Sequence, residues 1–349
     1  MDYSPLLHRA RPPVAMVALA FAALYISWGT TYLAIREGVQ DFPPFFFGGF
    51  RLLAAGLVLV AYLLLRSEPL GFRWRGMGWT LLAAVLMFVG GNGLLSLAEL
   101  TLESAAAAVL GATTPLFLAL IEVIWPGRDR LTSRGWLGLL IGLCGVLVIF
   151  APQFSDPASL WQDAGPLLML GSAFTWALGT VLAQRRRPKA SLLAAAAQQM
   201  VLGGIALCVV GLVVGEGRQL GPESFTPRAV SAFVYLLIVG SLIGFVAFTW
   251  LMGHVSASLV GTYAYVNPGV AVLVGGLIAG ETITLGIVSG MLIILLGVAL
   301  VRSGGANRLA DDKQENSQPR ILLACRDRAE QNQKCRSRIA NDESPMTTP

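Results

Sequence analysis

The two halves of this chain repeat each other, and each copy holds an odd number of apolar stretches long enough to cross a bilayer. At one fixed shift, Ser104 falls on Ser256, Asp129 on Glu281, Thr132 on Thr284, Gly138 on Gly290 and Gly145 on Gly297. A unit of five spans must enter its second copy from the opposite face of the membrane. Two such units make an inverted-topology pair, an architecture shared by many secondary transporters. The repeat predicts an all-α membrane protein of ten transmembrane helices that moves a solute.

Composition agrees. The chain is 55% hydrophobic and 13% charged, with a mean hydropathy of +0.67, whereas soluble domains carry about 25% charge. Ten stretches reach the length needed to span hydrocarbon, at roughly 14–35, 42–65, 77–98, 104–125, 135–151, 165–184, 191–214, 229–251, 257–279 and 285–302. The fifth reads as short. The net charge of +5 does not mark a nucleic-acid partner, because the basic residues gather in alternate loops. One set holds Arg9, Arg11, Arg66, Arg73, Arg75, Arg128, Arg130, Arg134, Arg185, Arg186, Arg187, Lys189, Arg302 and Arg308; the other holds Arg36, Arg218 and Arg228. Lys and Arg mark the cytoplasmic side, so both termini are expected there, as an even number of spans requires.

Residues 1–13 form a basic lead, 14–151 the first repeat and 152–164 a polar outward linker. Residues 165–302 form the second repeat. Residues 303–349 turn polar, with eight Lys/Arg against seven Asp/Glu, and are expected to be disordered.

Polar residues inside apolar spans single out candidate sites. Pro115 and Pro268 interrupt the fourth and ninth spans, where they release the carbonyls of Gly111 and Ala264 from the helical ladder. In lipid a freed carbonyl needs a partner or a wet cavity; a packing kink is the plainer reading. Asn267 adjoins Pro268 with Tyr263 one turn earlier on the same face. That pair suits a substrate contact or an inter-helix hydrogen bond. Arg51 is the one basic residue deep in a span, at a cost of about 2.5–3.5 kcal/mol on insertion scales. It either faces the bundle interior or snorkels outward. Gln198 stands in the corresponding span at what reads as similar depth. Trp28 and Trp176 occupy equivalent places away from the interfacial belt, for stacking on a solute or for packing. Asn92 lies among Gly90, Gly91 and Gly93, which allow close backbone approach.

The carboxylates divide. Asp129 and Glu281 precede the fifth and tenth spans, beside Thr132 and Thr284, and read as helix caps. Glu99 and Glu103 flank an outward turn. Glu122 lies beside Arg128 and Arg130, where an ion pair is expected. Glu99 and Glu122 are the candidates for a coupling proton, although neither stands at mid-span.

Several chemistries are unsupported. None of the three lysines follows a glycine, so the phosphate loop of an ATPase is absent from the sequence. No His, Cys and carboxylate group has metal-ligand spacing, no Gly-rich turn sits in a dinucleotide-binding context, and no nucleophile–base pair stands out. No cofactor is expected. The four cysteines make no disulfide framework.

The stretches ALYISWGTTYLAIR (Ala23 to Arg36), GFRLLAAGLVL (Gly49 to Leu59), VGGNG (Val89 to Gly93), TPLF (Thr114 to Phe117), TYAYVNPGVAVLVG (Thr262 to Gly275) and GET (Gly280 to Thr282) carry a resemblance. The chain resembles the EamA type of the drug/metabolite transporter superfamily over about residues 14–302. That resemblance implies two five-helix repeats, a central cavity and alternating access in the inner membrane. It also implies export of metabolites, amino acids or toxic organic compounds, and leaves the substrate open. The first repeat departs from the family pattern, with Gly127-Arg128-Asp129-Arg130 where the second has Gly280-Glu281-Thr282. The expected function is secondary transport of a small organic solute, with gradient-driven exchange, proton antiport or facilitated diffusion as its drive. Trp28, Arg51, Asn92, Trp176, Gln198, Tyr263 and Asn267 are the expected contacts. The rival readings are a non-transporting partner subunit and a membrane-embedded lipid-modifying enzyme.

Overall fold

Glycine decides how closely these helices approach. The computed structural model describes residues 12–71, 76–124, 132–154, 164–185, 191–255, 260 and 262–301. Its described residues are helices and connecting turns, with no strand. In chain order they are α1 (Val14–Val39), α2 (Pro44–Leu65), α3 (Met77–Ala98), α4 (Ser104–Gly111), α5 (Thr114–Ile124), α6 (Ser133–Phe154), α7 (Gly165–Arg185), α8 (Leu192–Val213), α9 (Pro227–Leu251), α10 (Tyr263–Ile278) and α11 (Leu285–Val301). With α4 and α5 taken together, eight helices are long and apolar enough to cross a membrane; α10 and α11 are shorter apolar helices.

Two helix pairs come together almost backbone to backbone. A Cβ at Gly49 would lie 2.6 Å from Cys208 Sγ, one at Gly56 2.9 Å from Val201 N, and one at Gly204 2.7 Å from Leu53 N. As α2 ascends in number, α8 descends, so this pair is antiparallel. The α6–α11 pair behaves alike. A Cβ at Gly138 would lie 2.6 Å from Gly297 O, and one at Gly145 3.0 Å from Gly290 O. Small residues give such contacts in lipid, where apolar burial alone does not drive helices together. The outward faces stay apolar: Leu140, Leu143, Leu277, Leu292 and Leu296 are exposed, as contact with hydrocarbon requires.

Two elements differ from the sequence reading. The fifth span is not short: α6 runs 22 residues, from Ser133 through Phe154, so the first residues of the supposed linker are helical. Thr132 Oγ1 accepts the Gly135 N–H at 3.1 Å and starts it. The first span also runs on to Val39. Residues 1–11, 155–163 and the tail from 302 lie outside the described residues, as do Asp129, Arg128, Arg130 and Ser256.

Both α3 and α9 loosen at corresponding places. Val85–Gly93 and Leu236–Gly244 are π-helical stretches of nine residues each. Such stretches are rare and concentrate at functional sites.

Candidate functional site

The helices line a cavity of about 140 Å³. Its wall draws on α1 (Trp28, Thr31, Tyr32, Ile35), α2 (Arg51, Leu52), α3 (Phe88, Gly91, Asn92, Leu95) and the α4–α5 junction (Ala108, Gly111, Ala112, Thr114). It also draws on α7 (Met169, Ser172, Ala173, Trp176), on Met200 of α8, on α9 (Gly240, Ser241, Phe245) and on α10 (Tyr263, Ala264, Asn267, Pro268). Helices α6 and α11 contribute no lining residue; they pack behind it. The lining along α1 spans about 10 Å at 1.5 Å per residue.

Six of the seven expected contacts meet here: Trp28, Arg51, Asn92, Trp176, Tyr263 and Asn267. Gln198 does not. The antiparallel α2–α8 packing sets Arg51 level with the residues near 205, so Gln198 lies about 10 Å further along the axis. There its side-chain amide donates to Leu70 O at 2.5 Å. Matching depth by counting along two spans missed the stagger that the glycines impose.

Arg51 faces inward. It is 5% exposed, which excludes snorkelling. Nη2 donates to Asn92 Oδ1 at 3.0 Å and Nη1 to Ser241 Oγ at 3.4 Å, while Nε has no partner among the described residues. Both acceptors are neutral, and both sit in the π-helical stretches of α3 and α9. No ion pair to Arg51 exists among the described residues. Asn267, also 5% exposed, presents an Oδ1 with no partner.

Aromatic rings form a cluster in the cavity wall. Trp28 makes edge contacts with Trp176 (centroids 6.2 Å apart, planes at 88°) and with Tyr263 (5.1 Å, 86°). Phe88 adds an edge contact to Trp176 at 6.1 Å, and Phe245 lies 6.4 Å from Trp28. Trp28 Nε1 donates to Gly240 O at 3.3 Å, so its polar atom is satisfied by backbone.

The proline breaks differ. Pro115 is the second residue of α5, which follows the turn at Ala112 and Thr113. The carbonyl of Gly111, released by the proline, accepts the Thr114 hydroxyl at 2.8 Å. Pro268 lies inside α10, which continues through it, and both Pro268 and Ala264 line the cavity.

Beyond Ile35, at the end of α1 away from the rings, lies a polar clasp. Glu281 is 8% exposed and accepts the N–H groups of Ser104 at 2.9 Å and Ala105 at 3.0 Å, while Arg36 pairs with it from α1. Glu281 thus caps a helix, but that helix is α4 of the other repeat; its own α11 is capped by Thr284 Oγ1, which accepts the Ile287 N–H at 3.2 Å. Burial pushes the Glu281 carboxyl up, but the two amides and Arg36 outweigh it and hold it below the ordinary range. Glu216 repeats the geometry, accepting Phe45 N and Phe46 N at 3.0 Å each at the start of α2. No arginine pairs with it among the described residues, burial outweighs the two amides and its carboxyl is pushed up. The sequence reading did not pick out Glu216, whose signal was only a carboxylate after a span.

Glu99 is not a solvated turn residue. It is fully buried, and neither oxygen has a partner among the described residues. The side chain of Glu122 lies outside the described residues. Among those residues no group of three or more His, Cys, Asp or Glu is placed to hold a metal ion.

Helices long and apolar enough to cross a membrane thus pack around a cavity in which a few polar groups interrupt a mostly apolar wall. Residues 15–151 and 163–303 each match the EamA-like transporter family, to which this chain belongs. It is 36% identical over 266 residues to the uncharacterized inner membrane transporter YedA of Escherichia coli (strain K12), covering 76% of this chain and 83% of that protein. It is 26% identical over 293 residues to the uncharacterized transporter YvbV of Bacillus subtilis (strain 168), covering 83% and 93%. A crystal structure of a protein 22% identical in sequence matches 82% of this chain and 97% of its own with a TM-score of 0.56, a likeness of fold.

Proposed function

We propose that this chain is a secondary transporter of the inner membrane that exports small organic metabolites, amino acids or drugs by alternating access. In this reading ten spans form two inverted five-helix repeats, and both termini are cytoplasmic. The observation that carries it is the cavity itself: Arg51 and Asn267 keep polar atoms unpartnered in a wall drawn from both repeats. A subunit with only a packing role would gain nothing from these desolvated groups. The antiparallel packing of α2 on α8 and of α6 on α11 supports the inversion, since parallel repeats would set equivalent helices parallel. The solute binds among Trp28, Arg51, Asn92, Trp176, Tyr263 and Asn267. The repeats rock about the α2–α8 and α6–α11 contacts, and the Arg36–Glu281 clasp opens in the outward-facing state. Glu99 carries the coupling proton.

The test uses proteoliposomes loaded with amino acids, purine metabolites and cationic drugs, with and without an imposed pH gradient. Release of one class, lost in Asn267→Ala, is expected; a response to the gradient that vanishes in Glu99→Gln assigns the coupling. No release by folded protein under any gradient counts against the reading.

A further inference from the structure

Among the described residues Arg51 is the one charged residue in the cavity lining. Its hydrogen bonds go to an amide oxygen and a hydroxyl, which orient the guanidinium without neutralising it. A buried cation left without a counter-charge is costly, and within a membrane such residues face the bundle interior or a water-filled cavity and mark substrate paths. Here the neutral acceptors come from the two π-helical stretches, so two unusual backbone segments converge on one guanidinium. These two bonds use two of its five N–H groups, and Nε has no partner among the described residues.

We propose that the cavity selects a small monocarboxylate, its carboxylate on Arg51 and its apolar body against the rings of Trp28, Phe88 and Trp176. This rests on the transporter reading above. Guanidinium matches a carboxylate by shape, with paired N–H donors, and by charge. One cation balances one anion, so a monoanion fits better than a dianion. A cationic solute would meet uncompensated positive charge in a low-dielectric wall. A single ring fits as the body: the 140 Å³ of the cavity is close to the roughly 150 Å³ that holds one benzene in a protein core.

The test is calorimetric titration of the full-length protein in lipid nanodiscs with benzoate, benzamide and benzylamine, which share one ring and differ in charge. Benzoate is expected to bind at least about tenfold more tightly than the other two. That preference should vanish in Arg51→Gln and persist in part in Arg51→Lys, with thermal unfolding in the same nanodiscs as the check on folding. If Arg51→Gln fails to fold, the wild-type ranking and Arg51→Lys decide. Benzylamine bound as well as benzoate, benzoate binding unchanged in Arg51→Gln, or binding of none of the three overturns the proposal. Radiolabelled efflux from liposomes separates the two readings. Benzoate that binds but never crosses sinks transport and leaves anion selection standing. Benzylamine that crosses while benzoate does not sinks anion selection and leaves transport standing.

Discussion

Glu281 and Ser104 lie 177 positions apart, yet the carboxylate of one accepts the backbone N–H of the other at 2.9 Å. A residue of the second repeat thereby satisfies the buried amides at the start of α4 in the first, which have no partner within their own helix and where the helix dipole favours negative charge. Arg36 completes the clasp. Glu281→Ala removes a cap worth about 1 kcal/mol and strands Arg36. A total loss of about 1–3 kcal/mol is expected in detergent unfolding; an unchanged midpoint would mean that the clasp contributes nothing.

The two carboxylate caps should respond to pH with opposite signs. Glu281 is held below its ordinary range, so its stabilisation is present at neutral pH and is lost as pH falls through that lowered value. Glu216 is pushed up, so its contribution is greatest in acid and is lost as pH rises through the raised value. The deficit of Glu281→Gln should therefore shrink on acidification and that of Glu216→Gln should shrink on alkalinisation. Unfolding midpoints across the acid-to-neutral range check this, and parallel trends would refute it.

Gln198→Ala should leave solute affinity untouched, because the side chain donates to Leu70 O and not into the cavity. A modest loss of stability, about 1 kcal/mol, is expected from the missing bond. A tenfold loss of binding in a stably folded variant would restore Gln198 to the site.

Gly297→Ala places a methyl about where Gly138 O and Gly142 N already stand, both at 2.6 Å. The backbones must part, at a cost of about 1–3 kcal/mol. Because α6 and α11 line no part of the cavity, equilibrium affinity should hold while stability falls. Unfolding and titration of the same sample separate the two.

Much of the site was legible as polar residues in apolar spans. Arg51, Asn92 and Asn267 stood out because hydrocarbon tolerates such groups only in an interior, and the cavity holds all three. Gln198 stood out for the same reason but belongs elsewhere, since depth depends on helix stagger. Glu281 read as a cap, but which helix it serves is a matter of approach between repeats. The π-helical stretches left no trace in composition or spacing. Glu99 read as a turn residue because its burial comes from distant elements.

The sequence by itself determined the membrane class, the repeat and the family, because apolar length, recurring glycines and short motifs are local properties that lipid makes decisive. The tertiary structure alone decided which polar groups converge. Whether a guanidinium meets a carboxylate or two neutral oxygens depends on the register of helices far apart in the chain, and close glycine contacts set that register.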